Sequence, residues 1–189
     1  MIAIVNFGSS KVPDILSCVE SLGYSGEVLD YSLQSKGESL LSARKWDKVI
    51  FSGAPILLSQ LKDYSEYIDF TKEVLALDIP ILGICFGHQI IGLTHGATCK
   101  MGEEDRQDQM IEQLIQDPIF DELEDVFEMQ QDHCEFIEIP NQFVHLAQSK
   151  ITKNEVMKHP TKPIYGCQFH PEVSGPKGLQ FLKNFLEIN

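Results

Sequence analysis

The sequence is poor in basic residues. Lys and Arg together number 15, against 28 Asp and Glu, and the formal net charge at pH 7 is −13. A chain of this charge is repelled by phosphate backbones and by anionic membrane surfaces. The composition therefore argues against nucleic acid and against a membrane as partners.

The sequence also lacks the marks of a secreted or membrane-anchored protein. It has neither a basic segment near Met1 nor an apolar run long enough to span a bilayer, so we expect no signal peptide and no membrane anchor. Cysteine is odd in number and forms no Cys-x-x-Cys pair, which excludes a disulfide framework and favours a reducing, cytoplasmic location. The cysteines are Cys18, Cys85, Cys99, Cys134 and Cys167.

What the sequence does contain is an alternation of short apolar runs with amphipathic segments. The periodicity predicts strands at 2–6, 27–31, 47–52, 97–101, 126–130, 143–149 and 164–169, and helices at 12–22, 38–44, 65–75, 86–94 and 177–186. Such an alternation indicates an α/β fold: an open, mostly parallel sheet with helices on both faces, in three layers. Since there are no repeats and no Gly/Ser linker, residues 1–189 are predicted to form one domain.

The most informative segment surrounds Cys85. An apolar run from Pro80 to Ile84 ends in Gly83-Ile84-Cys85-Phe86-Gly87 and leads into a predicted helix. This is the layout of a nucleophile elbow, in which flanking glycines permit a tight strand-to-helix turn. The helix N-terminus favours a thiolate, so Cys85 is a candidate nucleophile.

A second segment supplies the partners that such a nucleophile needs. In Gln168-Phe169-His170-Pro171-Glu172, His170 can accept the thiol proton and Glu172 can orient the imidazole. The other four cysteines are predicted to be small buried hydrophobes. The sequence thus predicts a triad in the chain order Cys, His, Glu.

With these two segments the chain resembles the class I glutamine amidotransferases, almost from end to end. The residues 83–89 are similar to the nucleophile motif Gly-x-Cys-x-Gly-x-Gln of that family, and 168–172 look like its Gln-Phe-His-Pro-Glu motif. A third segment, Ser52-Gly53-Ala54-Pro55, is similar to the family's Ser-Gly-Gly-Pro loop, with alanine in place of the second glycine. The resemblance implies a flavodoxin-like fold.

The resemblance also implies the chemistry and further site residues. Glutamine would be hydrolysed at its side-chain amide through a thioester on Cys85, with an oxyanion hole formed by the backbone N–H groups of Ala54 and Phe86. Gly53 and Gln89 would line the glutamine pocket. If position 54 requires positive φ, alanine there costs roughly 1–2 kcal/mol relative to glycine.

Within the family, the segments at 7–9, 87–89 and 162–172 most resemble the separate glutaminase subunit of GMP synthetase. That resemblance implies that the partner is an ATP pyrophosphatase subunit, with ATP and magnesium bound there, and that this chain holds neither a metal nor another cofactor. Where those glutaminases carry Met-Ser-His-x-Asp, this chain has 129–134. Counting places Asp132 at the family's histidine, and a one-residue shift would place His133 there, so both are candidate substrate-binding residues.

Other functions remain open at this point. The glutaminase subunits of imidazole glycerol phosphate synthase and of anthranilate synthase share parts of these motifs. A gamma-glutamyl hydrolase of the same fold would share the triad, and a regulatory subunit could keep the fold without turnover.

Overall fold

The computed structural model describes residues 1–32, 41 and 46–188, and the predicted helix at 38–44 lies outside them except for Leu41. The described strands are β1 (Ile2–Asn6), β2 (Gly26–Asp30), β3 (Lys48–Phe51), β4 (Ile81–Ile84), β5 (Cys99–Asp105), β6 (Asp108–Gln113), β7 (Val126–Gln130), β8 (His133–Ile137), β9 (Val144–Gln148), β10 (Val156–Lys158) and β11 (Ile164–Cys167). The described helices are α1 (Val12–Ser21), α2 (Ser65–Leu75), α3 (Phe86–Thr94) and α4 (Gly175–Glu187), and three single 3-10 turns lie at Leu58–Gln60, Pro118–Phe120 and Pro171–Val173.

Nine of the described strands form one sheet in the order β2-β1-β3-β4-β11-β10-β9-β6-β7. The first five are parallel to one another, and the last four continue the sheet through antiparallel pairs. The predicted α/β fold with a mostly parallel sheet is confirmed. β4 lies at the centre of the parallel half, between β3 and β11, so the residue that follows it emerges in the middle of the sheet's carboxyl edge.

Helices cover both faces of the parallel half. On one face, Ile15 and Val19 of α1 and Phe181 and Phe185 of α4 share a buried cluster with the strands. On the other, α2 and α3 pack against the sheet through a second cluster that includes Phe70 and Ile90. The four helices contain 9 to 13 residues each, and none in the described part of the chain is long and apolar enough to cross a membrane.

The antiparallel half differs most from the sequence prediction. Three strands were not predicted: β6, β8 and β10. β8 pairs with β5 in a separate two-stranded ribbon, and β5 begins and ends later than the predicted 97–101. The ribbon has a functional consequence, since it brings β8 over the carboxyl end of β4.

Candidate active site

Cys85 is the residue that joins β4 to α3. Its φ is 51° and its ψ is −104°, a backbone conformation that side chains other than glycine rarely adopt. The two flanking glycines are needed for steric reasons. A Cβ on Gly83 would lie 2.5 Å from the backbone of Gly87, and one on Gly87 would lie 2.6 Å from the backbone oxygen of Phe51. The segment therefore has the geometry of a nucleophile elbow, with the thiol 93% buried at the head of a helix.

His170 and Glu172 follow β11, the strand that pairs with β4. Nδ1 of His170 lies 2.7 Å from Oε1 of Glu172, and both side chains are at least 96% buried. Since Glu172 takes Nδ1, the other ring nitrogen is left for Cys85, to which His170 hydrogen-bonds. The structure thus brings together the three residues of the predicted triad.

The charge state of His170 follows from these contacts. Burial lowers the pKa of the imidazole, but hydrogen bonds to Cys85 and to Glu172 favour the protonated form more strongly, and the pKa is raised to about 10. At neutral pH the ring therefore carries its proton. A protonated ring beside the sulfur stabilises a thiolate there.

Two backbone N–H groups point to an anion site next to the sulfur. In the described part of the chain, neither Phe86 N–H, in the first turn of α3, nor Ala54 N–H has a hydrogen-bond partner. Ala54 is not among the described residues with positive φ, so alanine at this position carries no left-handed strain and the expected cost relative to glycine does not arise. Both N–H groups remain available as donors, as the family resemblance implied.

Gly53 brings this loop close to the triad. A Cβ at Gly53 would meet Cε1 of His170 at 3.2 Å and Cβ of Cys85 at 3.7 Å. Ser52 fixes the loop: its hydroxyl donates to Gly53 C=O at 2.8 Å and accepts from Phe7 N–H at 3.0 Å. Ser52 C=O also accepts from Gly87 N–H at 3.2 Å, which ties the oxyanion loop directly to the elbow.

A cavity of about 550 Å³ opens above Cys85. Its size is within the range of pockets for small molecules. It is lined by Gly8, Ser9, Ser10, Lys11, Ala54, Pro55, Ile56, Leu57, Cys85, Phe86, Gln89, Glu104, Arg106, Asp132, His133, Cys134, Glu135 and His170. All predicted substrate-binding residues except Gly53 are among them, and Gly53 lies immediately beneath the sulfur.

The two alternatives for the departed motif have different environments. The carboxylate of Asp132 is one-third exposed and pairs with the ammonium group of Lys11, and Arg106 lies 3.7 Å from its other oxygen. Burial opposes ionisation of Asp132, but these cations and protonated His170 hold its pKa below the usual range. His133 is buried, has no hydrogen-bond partner for either ring nitrogen, and has its pKa lowered by that burial. Asp132 therefore presents charge to the cavity, and His133 a neutral ring.

Several residues at the site were not predicted. The carboxylate of Glu135, buried on β8, accepts hydrogen bonds from Leu58 N–H at 2.7 Å and Ser59 N–H at 2.9 Å. Lys11 and Arg106 reach the cavity from two unrelated loops. Their positions depend on which loops the fold brings together, and no local sequence signal identifies them.

Metal binding was predicted to be absent. Across residues 1–32, 41 and 46–188, no group of three or more His, Cys, Asp or Glu side chains is placed to hold a metal ion. The predicted absence of cofactors in this chain remains a prediction.

Comparison with known proteins gives a family and a set of relatives. Residues 3–188 match the family described as glutamine amidotransferase class-I. The chain is 40% identical over 149 residues to the glutamine-hydrolyzing subunit of GMP synthase from Methanosarcina barkeri, covering 77% of this chain and 75% of that protein. It is 32% identical over 193 residues to the protein of the same name from Methanocaldococcus jannaschii, covering 100% of this chain and 97% of the relative.

Solved structures agree with the fold. A Thermoplasma acidophilum protein provisionally described as a GMP synthase subunit has a TM-score of 0.85 at 24% identity, covering 98% of this chain and 91% of that one. A glutamine amidotransferase from Thermotoga maritima has a TM-score of 0.74 at 20% identity, covering 98% and 82%. The family match over nearly the whole chain, on top of a nucleophile elbow joined to a His–Glu pair, leads to one assignment: the chain belongs to the class I glutamine amidotransferases.

Proposed function

We propose that this chain hydrolyses the side-chain amide of glutamine and supplies the ammonia to a synthetase subunit that converts XMP to GMP. The observation that carries the hydrolysis is the arrangement of Cys85, His170 and Glu172 beneath a cavity bordered by two unpartnered N–H groups. The choice of acceptor is supported by the relatives, which are named as glutamine-hydrolyzing subunits of GMP synthase.

In the first half of the reaction the Cys85 thiolate attacks the amide carbon of glutamine. The carbonyl π electrons move to oxygen, and the resulting oxyanion accepts hydrogen bonds from Phe86 N–H and Ala54 N–H. Such preorganised donors contribute about 2.7–4 kcal/mol each to transition-state stabilisation. His170 then gives its proton to the departing nitrogen, the C–N bond breaks, and ammonia leaves behind a glutamyl thioester.

In the second half His170 acts as a base. The ring, neutral after its proton has left with ammonia, takes a proton from water as that water attacks the thioester carbon. The tetrahedral intermediate collapses with cleavage of the C–S bond, which releases glutamate and restores the thiolate and the protonated ring. Glu172 transfers no proton: it fixes the orientation of the ring through Nδ1 at 2.7 Å.

The cavity has charges suited to the amino-acid end of glutamine. We assign recognition of the α-ammonium group to the Asp132 carboxylate and recognition of the α-carboxylate to Lys11 and Arg106, the cations that flank it. Both amide hydrogens of Gln89 are already donated, to Glu135 C=O at 2.9 Å and to Gln168 Oε1 at 3.2 Å. Only Oε1 of Gln89 is therefore available to the substrate.

The partner is an ATP pyrophosphatase subunit, which would bind XMP, ATP and magnesium, so that this chain needs no cofactor of its own. A reactive thiolate requires a reducing environment, and all five cysteines are free. This fits the cytoplasmic location expected from the sequence.

The experiment mixes the purified chain with that subunit, glutamine, XMP, ATP and magnesium, and follows glutamate release and GMP formation together. We expect both to rise above the values of the separate components. The matched control is Cys85→Ala in the same mixture: it should make no GMP from glutamine but full amounts from added ammonium, because the synthetase needs only ammonia.

Other outcomes separate the alternatives. Glutamate release without GMP formation would leave the glutaminase in place and reject this acceptor, and imidazole glycerol phosphate synthase would be the next partner to test. Rapid turnover of gamma-glutamyl peptides by the chain alone would indicate a hydrolase instead. Failure to form an adduct between Cys85 and a reactive glutamine analogue would indicate a regulatory subunit.

A further inference from the structure

The sulfur of Cys85 has a polar neighbour that the triad does not include. Nε2 of Gln168 lies 3.7 Å from Sγ, within hydrogen-bond range for sulfur. Gln168 is fully buried between β11 and His170, and its backbone N–H donates to Glu155 C=O at 2.9 Å. The side chain therefore has a fixed place beside the nucleophile.

The orientation of the Gln168 amide follows from a chain of obligatory donors and acceptors. Glu135 C=O can only accept, so Gln89 must present its NH₂ group there, at 2.9 Å. The same NH₂ group faces Gln168 at 3.2 Å, so Gln168 must present its oxygen to it. Its own NH₂ group is then left facing the sulfur. Hydrogen bonding, rather than an arbitrary assignment of N and O, determines that Gln168 donates to Cys85.

An N–H donor at this place matters because of what else surrounds the sulfur. Protonated His170, backed by Glu172, favours the thiolate. Opposite it, Asp132 C=O lies 4.0 Å from Sγ and can only accept, which favours the thiol.

Two other thiols interact electrostatically with Cys85. They are Cys134 on β8 and Cys167 on β11, and burial raises the pKa of each, so both are neutral at pH 7. Gln168 thus adds a second donor against one acceptor.

We propose that Gln168 is a catalytic residue, whose side-chain amide donates a hydrogen bond to the Cys85 sulfur and holds the nucleophile as a thiolate before glutamine arrives. The amide is kept in the donating orientation by Gln89 and Glu135 C=O. A hydrogen bond to a charged group is stronger than one to a neutral group, so the bond is worth more to the thiolate than to the thiol. When the thioester forms, the sulfur loses its charge and the bond weakens.

The test measures the sulfur directly and needs neither glutamine nor a partner. The rate of alkylation of Cys85 by iodoacetamide is followed against pH by mass spectrometry of the peptide that contains Cys85. In Gln168→Met, which keeps the length of the side chain and removes the donor, we expect the midpoint of the profile to rise by about one pH unit, an approximately tenfold loss of thiolate at lower pH. Gln168→Glu keeps the shape as well, and its carboxylate should raise the midpoint further.

The control is Asn184→Leu, which removes a buried amide from α4 that donates to Ile119 C=O and Asp121 C=O, away from the site. It should lower the melting temperature without moving the midpoint. An unchanged or lower midpoint in either folded Gln168 variant overturns the proposal. A shifted midpoint supports it even if the chain proves inactive on glutamine with every partner, so its failure is distinct from failure of the proposed function.

Discussion

At the scale of single residues, the backbone of Cys85 is the most unusual feature of the site. A side chain at φ 51° and ψ −104° is strained, and such conformations cost about 1–3 kcal/mol each. The surrounding structure maintains it: Cys85 N–H donates to Cys167 C=O at 2.9 Å, and Cys85 C=O accepts from Gln89 N–H at 3.0 Å. The position is occupied for chemistry at a cost in stability.

This strain gives a prediction that separates stability from activity. Cys85→Ala and Cys85→Gly both lack the nucleophile and should both fail to release glutamate. Cys85→Gly, which adopts the observed conformation without a Cβ clash, should be more stable than Cys85→Ala by about 1 kcal/mol. Thermal unfolding of the two variants measures the difference, and glutamate release measures the activity.

Two results would contradict this account. Equal stability of the two variants would mean that the elbow is not strained. Residual hydrolysis in either would mean that another group is the nucleophile.

At the scale of elements, β8 acts on the oxyanion loop through one side chain. The Glu135 carboxylate binds the N–H groups of Leu58 and Ser59, in the 3-10 turn that follows the loop containing Ala54. Without this acceptor two buried or partly buried donors lose their partner, and the loop is free to shift. A shift of about 1 Å at a catalytic group can cost around 10²-fold in rate.

We therefore predict that Glu135→Ala lowers kcat by about ten- to hundredfold, with a smaller effect on KM, because the oxyanion loop acts on the transition state. The control is Glu138→Ala, just beyond the same strand, whose exposed carboxylate bonds only Thr98 and Lys100. It should have nearly normal kinetics. Steady-state glutaminase assays on both variants give the comparison, and similar kinetics for the two would show that Glu135 does not position the loop.

How much of this could be predicted from the sequence depends on the element. The parallel strands were predicted because they are buried on both faces and read as apolar runs, such as Ile2–Asn6. The Cys85 elbow was predicted because its glycines are needed for steric reasons. β6 was missed because its Asp108-Gln109-Met110-Ile111-Glu112-Gln113 buries only one side chain and reads as solvated chain.

The remaining residues at the site had no pattern of their own. Glu135 is buried because a loop from elsewhere in the chain offers it two N–H groups. Gln168 was visible as part of a motif, but its role depends on a hydrogen-bond chain through Gln89 that only the folded sheet assembles.

At the scale of the whole molecule, one buried carboxyl couples stability to pH. Burial raises the pKa of Glu155 to about 7, against the opposing effect of hydrogen bonds such as that from Gln131 Nε2 at 2.9 Å. The unfolded chain loses this proton near 4.5, whereas the folded chain keeps it to about 7. The folded state therefore binds more protons between these values, and its stability falls as pH rises through this window.

Glu155→Gln removes this titration. Relative to the parent chain, we expect the variant to gain stability between pH 5 and pH 8, by up to about 3 kcal/mol. Denaturant unfolding at the two pH values measures the change, with Glu128→Gln on the exposed face of β7 as the control, whose difference from the parent should not vary with pH. A pH-independent difference for Glu155→Gln would mean that its carboxyl titrates normally in the folded chain.

The placement of the triad on neighbouring strands has a consequence for the order of events during synthesis. Cys85 follows β4, but His170 and Glu172 follow β11, and β11 is inserted between β4 and β10. A nascent chain that has folded β1, β3 and β4 already displays the elbow, yet its sulfur has no imidazole beside it. The nucleophile is thus made early and armed late: until the last strand completes the sheet, the growing polypeptide carries a cysteine that is chemically ordinary.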